Sequence, residues 1–216
     1  MSSSQPSVKH VIAPSDRLEN LPPYSLARVF QDRDAKVRQG VDVIDLGVGN
    51  PDLRPPQLAV DALKAALDDP AIQNHRYPSF PGLPEFRAGV ASYYRTRFGV
   101  TVDPATEALA LVGSKEGIAQ FMEAHLNPGD TLLLATPCYP AYLGAAALAQ
   151  ARVVEVPLTA KNQFLPDLSS IPTEDARRAK VISVNYPNNP TGATETSEFY
   201  QDLLRFARDF DLFVLS

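Results

Sequence analysis

The second half of the chain alternates between short runs rich in β-branched residues or leucine and segments with helical periodicity, and this alternation constrains the fold more than any other feature. The pattern predicts five strands, at 107–112, 131–135, 152–156, 180–185 and 212–216. It predicts helices between them at 115–126, 140–150 and 196–209, the last capped by Thr194 or Thr196. Because strands joined by helical crossovers pair in parallel, the sequence predicts an α/β fold with a mostly parallel sheet.

The first hundred residues follow a different pattern. Apolar residues recur at helical spacing from Leu26 to about Gln39, and an alternating run predicts a short strand at 41–46. Two further helices are predicted at 56–68 and 84–98. Proline makes up 20 of the 216 residues, about twice the usual ~5%. These prolines cluster in connecting segments, which predicts many rigid turns.

Composition and charge disfavour several classes of function. The net charge of −5 comes from interspersed acidic and basic residues, so the sequence predicts neither a nucleic-acid partner nor a membrane partner. The single cysteine and the lack of a Cys/His cluster predict no disulfide and no structural metal. The polar start has no apolar signal region, and no run reaches the ~18–20 apolar residues that span a bilayer. The expected location is the cytoplasm.

Parallel α/β sheets bind ligands in the loops after the carboxyl ends of their strands, so the residues of a binding or active site are expected in those loops. The first such loop runs from Gly113 through Ser114 into a predicted helix. A small-residue turn at a helix start directs several N–H groups at one point, which favours binding of an anion. The alternative is that Gly113 closes a tight turn and Ser114 only caps the helix.

The second loop contains Cys138 and Tyr139 between two prolines. An aromatic ring presented from a proline-restricted loop could stack on a planar heterocycle, or it could only cover the core. Cys138 has no His or acidic residue near it in sequence, so an inert thiol is favoured over a nucleophile.

The third loop contains two adjacent asparagines, Asn188 and Asn189, between prolines. Their amides do not titrate, and they suit hydrogen bonding to a neutral or phenolate-like oxygen. By contrast, His10, His75 and His125 lie in the tail or in flanking segments, and none is expected to be catalytic.

Four strings of residues, in matching order and spacing, resemble the class I and II pyridoxal-phosphate-dependent aminotransferases of fold type I. They are Ile44-Asp45-Leu46-Gly47-Val48-Gly49-Asn50-Pro51-Asp52, Tyr77-Pro78-Ser79-Phe80-Pro81-Gly82-Leu83, Gly113-Ser114-Lys115-Glu116-Gly117 and Asn188-Asn189-Pro190-Thr191-Gly192. Within that family, the opening Leu21-Pro22-Pro23-Tyr24 is most similar to the subgroup that contains the LL-diaminopimelate and aspartate aminotransferases. The resemblance covers about residues 16–216.

The resemblance implies a pyridoxal 5′-phosphate cofactor, amino-acid and 2-oxo-acid substrates, and a homodimer. By this resemblance the backbone N–H groups of Ser114, Lys115 and Glu116 hold the cofactor phosphate, Tyr139 stacks on its ring, and Asn189 hydrogen-bonds its phenolic oxygen. Tyr77 reaches the phosphate of the partner subunit. Gly49 contacts the substrate α-carboxylate, and Asn189 is a second substrate-binding residue. The resemblance also implies cis peptide bonds at Thr136-Pro137 and Asn189-Pro190.

The resemblance further implies a three-layer α/β/α fold that is incomplete here, with a disordered tail at 1–15, an N-terminal arm and part of a small domain at 16–55, and a truncated cofactor-binding domain at 56–216. The aspartate that binds the pyridine nitrogen and the lysine that binds the cofactor covalently would come after residue 216, so no catalytic residue is assigned. The chain alone is expected to fold poorly and to lack transaminase activity. The alternatives are a truncated or split product that only binds a partner, and a related lyase that uses the same cofactor.

Overall fold

The computed structural model describes residues 13–47, 49, 51–72 and 75–216. Of the tail predicted at 1–15, all but the last three residues lie outside the described residues. The helices are α1 (Asp16–Glu19), α2 (Ser25–Arg38), α3 (Gln57–Asp68), α4 (Pro84–Phe98), α5 (Ser114–His125), α6 (Pro140–Leu148), α7 (Thr173–Arg178) and α8 (Ser197–Asp209). The strands are β1 (Thr131–Thr136), β2 (Arg152–Pro157), β3 (Ala179–Ser183) and β4 (Phe213–Leu215).

The chain forms two compact units. One, the sheet unit, joins the described residues up to Tyr24 to Gly113–Ser216, and the other, the helical unit, consists of the described residues of Ser25–Val112. The domain boundaries at 15/16 and 55/56 stay a prediction.

The four strands form one sheet in the order β2-β1-β3-β4, and every neighbouring pair is parallel. Leu132 of β1 lies opposite Val153 on one side and Val181 on the other. Helical segments follow β1, β2 and β3 and return the chain to the edge where the strands begin. Because every pair is parallel, all four carboxyl ends lie along the opposite edge of the sheet.

Helices cover both faces of this sheet. Successive residues of a strand point to opposite faces, so Leu133 packs among α7 and α8 residues while Leu132 packs among α5 and α6 residues. Both leucines are fully buried, and each contributes about 1.5–3 kcal/mol by leaving water. The three-layer α/β/α architecture predicted by the resemblance is therefore confirmed within the sheet unit.

Helix α8 shows why the sequence forms these layers. The side chain of Thr196 accepts a hydrogen bond from the backbone N–H of Phe199 at 3.2 Å, so Thr196 rather than Thr194 is the cap. Leu203 and Ala207 follow Phe199 at intervals of four residues, and all three are buried. Phe199 and Leu203 belong to the cluster that contains Leu133 of the sheet.

The helical unit has almost no core of its own. Among its described residues only Gly82 is buried, and neither α3 nor α4 contains a buried side chain. Gly82 adopts φ +91°, and a Cβ placed on it would lie 2.3 Å from the Cβ of Ala110. The N–H of Ala110 donates to the carbonyl of Pro81 at 3.0 Å, so glycine permits this close backbone contact.

Two predicted strands are wrong. Residues 41–46 and 107–112 are not strands, although both have alternating apolar residues. A strand needs a neighbour to accept and donate its backbone hydrogen bonds, and neither segment pairs with any part of the chain that the structure describes. In the first segment, Asp45 instead accepts from the N–H of Gly47 at 2.9 Å and pairs with Arg33 at 3.0 Å.

Candidate functional site

Three loops of the sheet unit meet where the strands end. They are residues 113–117, 136–139 and 185–193, and together they are called the strand-end edge below. The amine of Lys115 lies 5.7 Å from the ring centroid of Tyr139, which joins the first loop to the second. The side-chain amide of Asn188 donates to the carbonyl of Pro137 at 3.4 Å, which joins the third loop to the second.

The first loop places a helix N-terminus at this edge. Gly113 adopts φ +91° and ψ 154° immediately before α5, and no side chain caps the helix there. The N–H of Glu116 donates to the carbonyl of Gly113 at 3.2 Å. The helix dipole favours negative charge at this end of α5. Ser114 and Lys115 are both exposed, so a hydroxyl and an ammonium group are available at this point. This arrangement suits an anion.

Lys115 lies between two aromatic rings. Its amine is 5.7 Å from the centroid of Tyr24 as well as from that of Tyr139. The phenol of Tyr139, as a hydrogen-bond partner, raises the pKa of Lys115 above its usual value, and the nearby Tyr24 adds to the rise. Lys115 is therefore a cation at neutral pH. Sequence reasoning missed Tyr24 as a site residue, because its contact with Lys115 joins residues far apart in the chain.

The second loop presents Tyr139 just before α6. The residue is the N-cap of that helix and is half-buried, so part of its ring remains accessible. Its neighbour Cys138 is also half-buried, and burial, with a smaller effect from Glu155, raises the pKa of the thiol to about 11. A thiol with that pKa is protonated at neutral pH, which agrees with the interpretation of Cys138 as inert.

The two asparagines of the third loop have different environments. Asn188 is 4% exposed, and its Oδ1 accepts from the N–H of Thr191 at 3.2 Å and from the hydroxyl of Thr191 at 2.8 Å. Asn189 is exposed, and its backbone N–H donates to Oδ1 of Asn185 at 3.1 Å. Its side chain makes no hydrogen bond to the rest of the described chain, so the amide of Asn189 is available to a ligand.

Proline geometry agrees with the resemblance. The Thr136-Pro137 and Asn189-Pro190 peptide bonds are both cis, as predicted. A third cis bond, Tyr186-Pro187, lies in the same loop as Asn189 and was not predicted.

The remaining predicted site residues belong to the helical unit. The side chain of Tyr77 is fully exposed and lines a surface cavity of about 760 Å³ together with His75, Arg76 and Pro78. Gly49 is exposed and has no atom within 4 Å of a Cβ placed on it, while Val48 and Asn50 beside it lie outside the described residues. The roles given to Tyr77 and Gly49 stay predictions.

His125 lies at the C-terminal end of α5, at the other end of that helix from Ser114, and His75 lies in the helical unit. Nδ1 of His125 is 2.8 Å from the carbonyl oxygen of Phe121, and its ring stacks on that of Phe121 at 4.2 Å. His10 lies outside the described residues. Within the described ranges, no group of His, Cys, Asp and Glu side chains has an arrangement that could hold a metal ion. No helix in the described part of the chain is long and apolar enough to cross a bilayer.

Comparison with known proteins identifies the family of this site. The family model described as aminotransferase class I and II matches residues 41–216. The chain belongs to this family. An LL-diaminopimelate aminotransferase from Aquifex aeolicus is 50% identical over 202 residues, which are 94% of this chain and 52% of that relative. The chain thus spans about half the length of the curated relatives it matches.

Solved structures of aminotransferases have the same fold. BacF from Bacillus subtilis with bound substrate superimposes with a TM-score of 0.86 at 37% identity, over 94% of this chain and 51% of that chain. An aspartate aminotransferase from Thermus thermophilus with maleate gives 0.83 at 31% identity, over 94% of this chain and 52% of its own. The predicted family, the fold class and the match to about half of a family member are confirmed.

Proposed function

We propose that the protein transfers an amino group between an amino acid and a 2-oxo acid with pyridoxal 5′-phosphate as cofactor, and that this chain supplies the part of the site that holds the cofactor. One observation carries the proposal. A helix N-terminus with a protonated lysine, a half-buried tyrosine ring and an unbonded asparagine amide meet at one edge of the sheet. These groups match a ligand that has an anionic phosphate, a planar ring and a phenolic oxygen.

The cofactor phosphate would be held by the backbone N–H groups of Ser114, Lys115 and Glu116 at the start of α5. The hydroxyl of Ser114 and the ammonium of Lys115 add a donor and a positive charge there. Such a helix N-terminus stabilises an anion by about 0.3–2 kcal/mol. Because Lys115 stays protonated at neutral pH, it acts as a cation and does not remove protons from a substrate.

The ring of the cofactor would stack on Tyr139, and its phenolic oxygen would accept a hydrogen bond from the side-chain amide of Asn189. When bound, pyridoxal phosphate withdraws electrons from the Cα of an attached amino acid, which makes the Cα proton acidic. A neutral amide donor at the phenolic oxygen keeps that oxygen ionised without itself titrating. Asn189 therefore controls the charge on the ring.

Two further roles involve the helical unit and a second subunit. Tyr77 is proposed to reach the cofactor phosphate of a partner subunit, which requires a homodimer, and its full exposure leaves the phenol available for this. The backbone of exposed Gly49 is proposed to contact the α-carboxylate of the substrate, and Asn189 is proposed as a second substrate-binding residue. The cytoplasmic location inferred from the sequence stays a prediction.

The substrate class is proposed from the relatives. The Aquifex aeolicus protein and a 48% identical one from Syntrophobacter fumaroxidans are both named LL-diaminopimelate aminotransferase. We therefore propose LL-diaminopimelate as the first amino donor to test, with aspartate as the second, because the Thermus thermophilus aspartate aminotransferase is also structurally similar.

The proposed function is tested by an amino-donor panel. Protein expressed from its intact gene is supplied with pyridoxal phosphate, 2-oxoglutarate and each amino acid in turn, and glutamate formation is measured. We expect glutamate from LL-diaminopimelate and its loss in Asn189→Ala, with no loss in the control Asn162→Ala, which lies in the short 3-10 turn Ala160–Asn162. Elimination or decarboxylation products in place of glutamate would indicate a lyase, and cofactor binding with no turnover of any donor would indicate a binding protein.

A further inference from the structure

The side chain of Asn188 makes hydrogen bonds both within its own loop and to the neighbouring loop. Its Oδ1 accepts twice from Thr191, and its Nδ2 donates to Pro137 in the neighbouring loop. The backbone of Asn188 is bonded as well, since its N–H donates to Ala193 at 2.8 Å and its carbonyl accepts from Gly192 at 2.7 Å.

The hydrogen bonds of Asn188 are costly to break because its side chain is buried. Asn188 is 4% exposed, and a buried amide that lost its partners would pay the full cost of desolvation. The two bonds to Thr191 lie within one loop, so they fix the shape of that loop. The bond from Nδ2 to the Pro137 carbonyl is different, because it crosses to the loop that presents Tyr139 two residues later.

Asn188 directly precedes Asn189, so its bond to Pro137 affects a residue of the proposed site. Its side chain points into the protein, while that of the next residue, Asn189, is exposed at the strand-end edge. Asn185 supports the same arrangement by accepting the backbone N–H of Asn189 at 3.1 Å. Because Asn188 and Asn189 are adjacent, a shift of Asn188 away from Pro137 also shifts the side-chain amide of Asn189 relative to the ring of Tyr139.

We propose that Asn188 is a positioning residue that couples the loop of Asn189 to the loop of Tyr139 and so aims the Asn189 amide at the phenolic oxygen of the cofactor. The proposal rests on the proposed function, because it takes the cofactor to lie between these two loops. Asn188 does not touch the cofactor. It acts through Pro137 on one side and through Asn189 on the other.

The chain offers variants that separate the two sets of bonds. Asn188→Asp keeps an acceptor for Thr191 but replaces the donor to Pro137 with an oxygen. Thr191→Val removes the hydroxyl bond to Asn188 and the bond that the hydroxyl accepts from the N–H of Ala193 at 3.2 Å. Both lie within the loop and the bond to Pro137 remains, so this variant is the control. Asn188→Ala removes both sets, and it serves as the second variant if Asn188→Asp does not fold.

The first measurement is amide hydrogen exchange by mass spectrometry on the cofactor-free protein. We expect Asn188→Asp to raise exchange about fivefold, the effect of one lost hydrogen bond, in peptides covering both 136–143 and 185–193. Thr191→Val should raise it only in 185–193. If Asn188→Asp leaves 136–143 unchanged, the coupling of the two loops is refuted.

The second measurement compares the affinities of two probes, pyridoxamine 5′-phosphate and its 3-deoxy analogue, which lacks the phenolic oxygen. We expect the wild type to prefer the first by about tenfold or more, as a hydrogen bond to a charged oxygen gives. Asn189→Ala and Asn188→Asp should both abolish this preference, and Thr191→Val should keep it. A purely structural role for Asn188 would weaken both probes equally and keep the preference, which would overturn the positioning role.

The two measurements distinguish the proposals. If the wild type shows no preference between the probes, the role of Asn189 and the aiming role of Asn188 are wrong, while glutamate formation in the donor panel decides the proposed function separately. In that case the exchange data still decide whether Asn188 couples the loops.

Discussion

The sheet unit and the helical unit both contain helices with apolar residues, yet they bury their side chains very differently. All the buried apolar residues among those described lie at or after Ile118, on the two faces of the sheet. In the helical unit, leucines, phenylalanines and tyrosines of α3 and α4 are largely exposed, with Leu63 at 63% and Phe86 at 54%.

The difference follows from how each unit satisfies its backbone and its apolar surface. The parallel sheet pairs its strands and presents two apolar faces, and each face is covered by a helix layer from the same unit. An amphipathic helix gains most of its stability by packing its apolar face. Since α3 and α4 lack that packing among the described residues, we expect the sheet unit to be the more stable of the two.

The largest expected effect comes from matched leucine truncations in the two units. Leu133→Ala in β1 removes a fully buried side chain and should lower the free energy of unfolding by about 2–5 kcal/mol. Leu63→Ala in α3 removes an exposed one and should change it by less than about 0.5 kcal/mol. Denaturant midpoints measure both, and equal losses would mean that α3 is packed as tightly as the sheet.

The only cysteine reports on the sheet unit alone. Burial raises the pKa of Cys138 to about 11, so alkylation by iodoacetamide at pH 8 should be about a hundredfold slower than for a thiol with pKa 9. We expect this protection to persist at denaturant concentrations that already reduce helical circular dichroism. If cysteine protection and helical circular dichroism are lost at the same denaturant midpoint, the sheet unit is not more stable than the helical unit.

Glycine substitutions test the close contact between Gly82 and Ala110 inside the helical unit. Gly82→Ala places a Cβ 2.3 Å from Ala110 and also strains a residue at φ +91°. Gly99→Ala strains a residue at φ +70° but has nothing within 4 Å, so it should cost only the ~1–2 kcal/mol of a left-handed alanine. We expect Gly82→Ala to cost more and to increase hydrogen exchange at Ala110. Equal effects would mean that the contact between 82 and 110 does not hold the unit together.

The smallest expected effect on stability comes from removing one ion pair in each unit. A hydrogen bond from Lys180 at 2.6 Å, followed by the N–H of Asn127, lowers the pKa of Asp130. A lowered carboxylate pKa stabilises the fold above the unfolded-state value of ~3.9 and stops doing so as pH falls through the folded-state value. Asp130→Asn should therefore lower the unfolding midpoint slightly at pH 7 and match the wild type near pH 2.

Asp45 is the counterpart in the helical unit. The N–H of Gly47, followed by Arg33, lowers the pKa of Asp45. The same substitution, Asp45→Asn, should shift only the transition of the helical unit. A shift in Cys138 protection with Asp45→Asn would show that the two units unfold together.

Sequence periodicity predicted those elements whose partners are close along the chain. Strands at 131–135 and 152–156 and the cap at Thr196 were found nearly as predicted, because βα units and helix caps are local. The strands at 41–46 and 107–112 were wrong because a strand depends on a neighbour that its own sequence does not encode. The short helix α7 was missed because six residues give too little periodicity.

For the site, motif resemblance predicted which loops form it but not which of two adjacent residues is buried and which is exposed to a ligand. Asn188 and Asn189 are identical in type, and only the fold decides that one is buried and bonded while the other is exposed. The contact of Lys115 with Tyr24 joins residues about ninety positions apart, so no local pattern could predict it.

The central claim is that the strand-end edge of the sheet unit binds the cofactor, and amide chemical shifts during a titration with pyridoxamine 5′-phosphate test it most directly. This probe has no aldehyde, so it does not react with surface lysines. We predict that the largest shifts occur at Ser114, Lys115, Tyr139 and Asn189. The amides of Asp130 and Lys180, at the opposite edge of the sheet, should not move. Largest shifts at that opposite edge, or no saturable shift at all, would contradict the account.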